Sequence, residues 1–120
     1  MQRRDAIRIR HMLDASREAV ALVEGKRRDD LNRERTLVLA LVKLIEIVGE
    51  AASKVSSDAR SEAVQIPWQA SVAMRNRLIH GYFDLNLDIV WNTVTSELPA
   101  LITELDKLLS DKLRSALQVE

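Results

Sequence analysis

The sequence predicts an all-α fold, an up-down four-helix bundle whose last helix is kinked at a proline. Three observations predict it. Apolar residues recur at three- and four-residue spacing through four long segments, the period of a helix with one buried face. The chain holds three glycines and two prolines in 120 residues, too little turn chemistry for a sheet. Hydrophobic residues make up 47% of it, ample for one core at this length. Residues 1–120 therefore read as a single domain, with no internal repeat and no low-complexity tract.

The first helix is expected over residues 3–24, where Ile9, Met12, Leu13, Ala19, Val20 and Val23 mark the buried face and Gly25 supplies a stop. Residues 26–30 form a charged turn. The second helix is expected over 31–55. Between Leu37 and Val48 it is apolar nearly all round, as a central helix is, and Lys43, Glu46 and Glu50 form its polar stripe. That stripe faces solvent, a partner or a site, and solvent is the plain expectation. Residues 56–65 are small and polar and read as a loop. Pro67 suits the first turn of a third helix over 68–80, with Gly81 at its cap. Residues 82–87 connect irregularly to the last helix, 88–117, with Asp88 as the expected N-cap. Its stripe is Val94, Leu98, Leu101, Leu105, Leu108, Leu109 and Leu113, and Pro99 removes one internal hydrogen bond. Apolar surface on the second and fourth helices exceeds what one small bundle buries, which predicts a homodimer.

Composition narrows the chemistry. With no cysteine there is no disulfide framework, no thiolate metal site and no cysteine nucleophile, a profile that fits a cytoplasmic protein. No apolar run has the length of a membrane span and no signal-peptide pattern opens the chain, so no membrane partner is expected. Eighteen basic and eighteen acidic side chains balance to zero, which excludes a uniformly basic nucleic-acid surface. The balance is uneven: residues 1–80 carry +4 and residues 81–120 carry −4.

Two histidines limit the candidates for proton transfer. His11 sits in the first helix and reads as a surface or rim side chain without a role. His80 ends the third helix and follows Arg75, Asn76 and Arg77, with Gly81 and Tyr82 after it. Arg75 and His80 are about 140° apart around a helix and roughly 7.5 Å along it, so they converge only if the helix is ending there. Arginine offers paired donors to phosphate oxygens, and imidazole titrates near neutrality. Arg77 is about 200° from Arg75 and points elsewhere, toward solvent or a partner. By spacing alone, a role for Arg75 and His80 in capping carbonyls and pairing with Asp84 or Asp88 stands slightly ahead of a phosphate site.

The longer string decides more. Met74-Arg-Asn-Arg-Leu-Ile-His80-Gly-Tyr82-Phe, followed by Asp88-Ile-Val-Trp91 and Leu98-Pro99, resembles the HepT-like toxins of the HEPN superfamily. Ile47-Val-Gly-Glu50-Ala-Ala and Ile66-Pro67-Trp68 resemble the same family upstream. The likeness spans about residues 30–110, and the first helix matches only in general character.

The resemblance implies a dimerising HEPN-like α-helical fold and a metal-independent endoribonuclease that uses no cofactor. Carried over, Arg75 and His80 are the catalytic pair of an R-x4-H-x-Y site, and Asn76 orients the phosphate or His80. Tyr82 is the residue that a nucleotidyltransferase antitoxin of the MntA type modifies with AMP, silencing the toxin of a type VII toxin–antitoxin system. Glu50 lies on the polar stripe, either supporting the site or facing solvent. RNA carries its own nucleophile, so a proton shuttle and a clamp for phosphorane charge suffice. Two other readings of the same residues stay open: a non-catalytic helical dimer that binds a nucleotidyltransferase partner or a nucleotide, and a plain dimerisation domain.

Overall fold

A computed structural model describes residues 1–78 and 84–118, with side chains as far as Lys112. Its elements are α1 (Arg3–Leu22), the single turn α2 (Asp30–Arg33), α3 (Arg35–Ser53), α4 (Ser57–Glu62), α5 (Trp68–Leu78) and α6 (Leu87–Asn92). The last runs through a π turn (Thr93–Glu97) into α7 (Leu98–Gln118). Among the described residues there is no β-strand. The all-α expectation holds.

Side-chain pairs fix the topology. Asp5 at the start of α1 meets Ser56 just beyond α3, so those helices are antiparallel. Glu46 meets Arg75 while Gly49 approaches Ser71 and Val72, which runs α5 against α3. Arg17 meets Asp106 while Lys112 reaches Glu62, which also holds the Met1 amino group, so α7 lies antiparallel to α1, and Arg77 ties the end of α5 to Glu97 just before α7. This is the up-down order. The core joins Ile9, Met12 and Leu13 of α1, Leu41, Ile45 and Val48 of α3, Leu78 of α5, and Leu98 and Leu105 of α7, all fully buried.

Four local expectations need correction. The segment expected as one helix over 31–55 is broken at Glu34, whose φ of −112° and ψ of +80° interrupt the helix. Its carboxylate accepts from Lys26 Nζ at 2.9 and 3.1 Å, folding the connection back on itself while Leu31 turns into the core. The segment expected as a loop over 56–65 contains α4. Ser56 caps it, accepting from the Ala59 N–H at 3.2 Å, and Ala59, Ala63 and Ile66 are buried beneath it. Arg60 of α4 donates to the carbonyls of Ala52 and Val55 at the end of α3, with its guanidinium 6.0 Å from the Trp68 ring centre.

The N-cap of the last helix is Asn86 rather than Asp88. Its side chain accepts from the Ile89 N–H at 3.1 Å, and its own N–H donates to the Leu78 carbonyl at 2.7 Å. Asp88 lies in the first turn and accepts from Arg28 at 2.6 Å. Finally, the disturbance expected at Pro99 takes the form of the π turn just upstream. Pro99 has no N–H to offer the Thr95 carbonyl, and a widened turn absorbs the mismatch. The stop expected at Gly25 is present, with φ at +75°. No helix among the described residues is long and apolar enough to cross a membrane.

Candidate active site

Helix α5 is built to present one polar edge. Pro67 opens it, its carbonyl accepting from the Ser71 N–H at 2.8 Å. Trp68, Ser71, Met74 and Leu78 recur at three- and four-residue spacing and are buried, so Arg75, Asn76 and Arg77 are left exposed. The Trp68 indole N–H donates to the Ala63 carbonyl at 2.9 Å, fixing where the helix starts.

The two arginines part company. Arg75 reaches α3, its Nε donating to Glu46 at 3.2 Å. Arg77 reaches the π turn, where Glu97 accepts from both terminal nitrogens at 2.8 and 3.3 Å and also takes the Thr93 hydroxyl at 3.4 Å. A bidentate pair of that kind holds Arg77 away from Arg75. The Arg75 pair is weaker. It uses Nε alone, and the side chain is 57% exposed, a setting in which an ion pair contributes roughly 0–1 kcal/mol. Among the described residues no other acceptor engages Arg75, so its two terminal nitrogens remain available.

Two depressions meet at this arginine. One, of about 360 Å³, lies between α1 and α3 and is lined by Arg8, His11, Lys43, Glu46, Glu50 and Arg75, with Ile47 and Ala51 at its floor. The other, of about 210 Å³, lies between α3 and α5 and is lined by Glu46, Gly49, Glu50, Arg75 and Asn76, with Ser53 and Val72. Because they share Glu46, Glu50 and Arg75, they form one furrow across α3. Gly49 sets the spacing: a Cβ there would stand 3.3 Å from the carbonyl oxygens of both Ser71 and Val72, tighter than an ordinary contact, so any other residue would have to push the two backbones apart by a few tenths of an ångström.

The sequence-expected residues distribute as follows. Arg75 and Asn76 lie together in the furrow. Glu50 joins them and pairs with Lys54 at 3.4 Å. His80 and Tyr82 lie outside the described residues. The polar stripe of α3, for which solvent was the plain expectation, lines the furrow through Lys43, Glu46 and Glu50. His11, read from sequence as a rim histidine, is exposed and belongs to the furrow wall. Arg8 was not singled out. The available signal was its spacing of three from His11, on the helix that runs antiparallel to the α3 stripe.

Among the described residues no three His, Asp or Glu side chains group as metal ligands. Titration is shifted at pins of the fold. The Ser56 backbone N–H, then its hydroxyl, hold the Asp5 carboxyl below its ordinary value. Glu34 raises Lys26, first by hydrogen bonding and then by charge, and the Arg27 N–H followed by Arg33 lowers Asp30.

Fold and furrow together define a helical protein with an exposed arginine in a surface furrow, and comparison with known proteins gives the class. Residues 12–108 match the model of the ribonuclease HepT-like family. A protein of Caldanaerobacter subterraneus subsp. tengcongensis, provisionally named an RNase, is 31% identical over 101 residues, covering 84% of this chain and 90% of its own. The probable ribonuclease HepT of Thermococcus cleftensis is 32% identical over 95 residues, 76% of this chain and 86% of that one. No solved structure matches. The chain belongs to the ribonuclease HepT-like family, and the resemblance to HepT-like toxins of the HEPN superfamily is borne out. Its activity class is endoribonuclease.

Proposed function

We propose that this chain is the toxin of a type VII HepT/MntA toxin–antitoxin system, a metal-independent endoribonuclease that cuts RNA in the cytoplasm through Arg75 and His80. The observation that carries the reading is Arg75 itself: exposed in the furrow beside Asn76, bound through Nε alone, and five residues before His80. A phosphodiester displaces Glu46 at little cost and takes the two free nitrogens as a bidentate pair. The 2′-hydroxyl then attacks the neighbouring phosphorus and the bond to the 5′-oxygen breaks, leaving a 2′,3′-cyclic phosphate and a free 5′-hydroxyl. His80 carries the proton between the two oxygens, Arg75 stabilises the charge of the phosphorane, and Asn76 holds a phosphate oxygen.

The active form is a homodimer. Leu39 and Ile47 on α3 and Val72 on α5 are large apolar side chains left exposed, 50%, 36% and 36%, on the two helices that carry the furrow, whereas the last helix, expected to share this surplus, exposes no large apolar side chain among the described residues. A second copy seated there gathers two Arg75–His80 pairs at one cleft. Silencing is by a nucleotidyltransferase antitoxin that transfers AMP from ATP to the Tyr82 hydroxyl, releasing pyrophosphate. The adduct adds bulk and negative charge two residues from His80, where the RNA phosphate has to enter.

Purified protein is expected to cleave single-stranded RNA in the presence of EDTA. Arg75→Ala should lower kcat by about 10²–10³, the loss typical for one oxyanion donor, and His80→Ala should abolish cleavage. Undiminished cleavage by His80→Ala would remove that residue from the mechanism. Co-expression with the nucleotidyltransferase should restore growth and add one AMP to the intact mass, and Tyr82→Phe should block the mass change.

A further inference from the structure

We propose that the α1 end of the furrow is a second phosphate site, in which Arg8 and Lys43 hold the RNA backbone phosphate next to the one bound at Arg75. The proposal rests on the ribonuclease reading and adds to it residues of α1 and α3 that lie far from the motif in sequence.

Three observations converge. The first is unspent charge. About half of the basic side chains face an acid: Arg10 pairs with Asp14, Arg17 with Asp106, Lys26 with Glu34, Arg28 with Asp88 and Lys54 with Glu50. Arg8 and Lys43 have no ion-pair partner among the described residues, yet they face the same cleft from two different helices. The two carboxylates of that cleft do not cancel the cations: Arg8, Lys43 and Arg75 carry three positive charges against the two negative charges of Glu46 and Glu50, and Lys54 stands beside Glu50.

The second observation is continuity. The Arg8–Lys43 end and the Asn76 end share Arg75, Glu46 and Glu50, so a strand whose phosphate sits on Arg75 has an open direction across α3 toward Arg8. The third is chemical fit. About 360 Å³ lies at the lower end of the range for sites that hold a small-molecule fragment, enough for a phosphate with its sugar. The exposed His11 ring on the α1 side of the cleft gives that sugar a polar surface. In a chain of zero net charge, affinity for RNA has to come from a local track of this kind.

The test is the salt dependence of binding. The probe is a fluorescein-labelled single-stranded oligoribonucleotide, 2′-O-methylated so that it is not cut, followed by anisotropy from low to moderate salt. For a single strand, each cation that no longer neutralises a phosphate lowers the slope of log K against log salt by about 0.7. Arg8→Ala and Lys43→Ala are each expected to show that drop with a several-fold weaker Kd, and the double variant about twice the drop. On cleavable RNA they should raise KM and leave kcat within about twofold, as residues that bind the strand away from the reacting phosphate do. Lys107→Ala, which removes an exposed cation from α7, should change neither slope nor KM. Circular dichroism checks each fold. Lys43 is exposed, so Lys43→Ala decides the matter alone if the half-buried Arg8 proves necessary for folding. Wild-type slope and KM in Lys43→Ala, alongside normal wild-type cleavage, would overturn the second site and leave the ribonuclease reading standing. A wild-type protein that neither binds nor cuts RNA would remove both.

Discussion

Replacing Asp5 with alanine removes a pin that joins three helices, and the structure sets the size of the effect. Asp5 is in the first turn of α1 and is 2% exposed. Its carboxylate accepts from the Ser56 backbone N–H and from the Ser56 hydroxyl, both at 2.8 Å, and the same hydroxyl caps α4. Hydrogen bonds to a charged group are worth about 1.5–3 kcal/mol each, and the variant leaves the Ser56 N–H without its acceptor. The two bonds share one carboxylate and are not additive, so a loss of about 3 kcal/mol is expected. At this chain length each kcal/mol moves Tm by roughly 3–5 °C, giving a fall on the order of 10 °C.

The pH dependence sharpens the test. The Ser56 N–H, then its hydroxyl, hold the Asp5 carboxyl below its ordinary value, so the folded state prefers the charged form. Its contribution is complete above the usual carboxylate pKa of about 3.9 and is lost as pH falls through the lower folded value. Thermal melts of wild type and Asp5→Ala should therefore differ most near pH 7 and converge at the acid end. Ser56→Ala should overlap with Asp5→Ala rather than add to it, since both break the same network. Equal Tm values at pH 7, or a gap that does not shrink in acid, would refute the reasoning.

Two further predictions concern the helices that carry the furrow. Gly49→Ala should lower stability by on the order of 1 kcal/mol in urea melts, although alanine favours a helix by about that much, because the new Cβ meets two backbone carbonyls that have no rotamer to escape into. It should also slow RNA cleavage, since α5 carries Arg75 and has to give way; a raised urea midpoint would contradict this packing account. Ser71→Ala should raise Tm by roughly 3–5 °C, because the buried Ser71 hydroxyl has no hydrogen-bond partner among the described residues and its removal recovers about 1 kcal/mol.

Much of the fold was legible because its period is local. The stripe from Ile9 to Ala19, the near-continuous apolar run from Leu37 to Val48 and the Leu98–Leu105 stripe each announce a buried face without reference to any other helix. The connections were less legible. Glu34 breaks a helix through a carboxylate that answers Lys26, eight residues away. The segment read as loop folds as α4 because Asp5 and Arg60 supply it with partners across the chain. Asn86 outcompetes Asp88 as cap because its N–H is also tied to the end of α5, leaving Asp88 to Arg28.

For the site the division is similar. By itself the sequence determined an all-α chain and, through the string around Arg75, its family, since both are written in residues close together along the chain. It also placed Lys43, Glu46 and Glu50 on one stripe of α3. Only the tertiary structure decided what that stripe faces. The physical reason is that Arg8, Lys43 and Arg75 sit on three different helices. They meet across α3 because Asp5 anchors α1 antiparallel to it and Gly49 lets α5 come close, and neither distance is encoded in the spacing of any one segment.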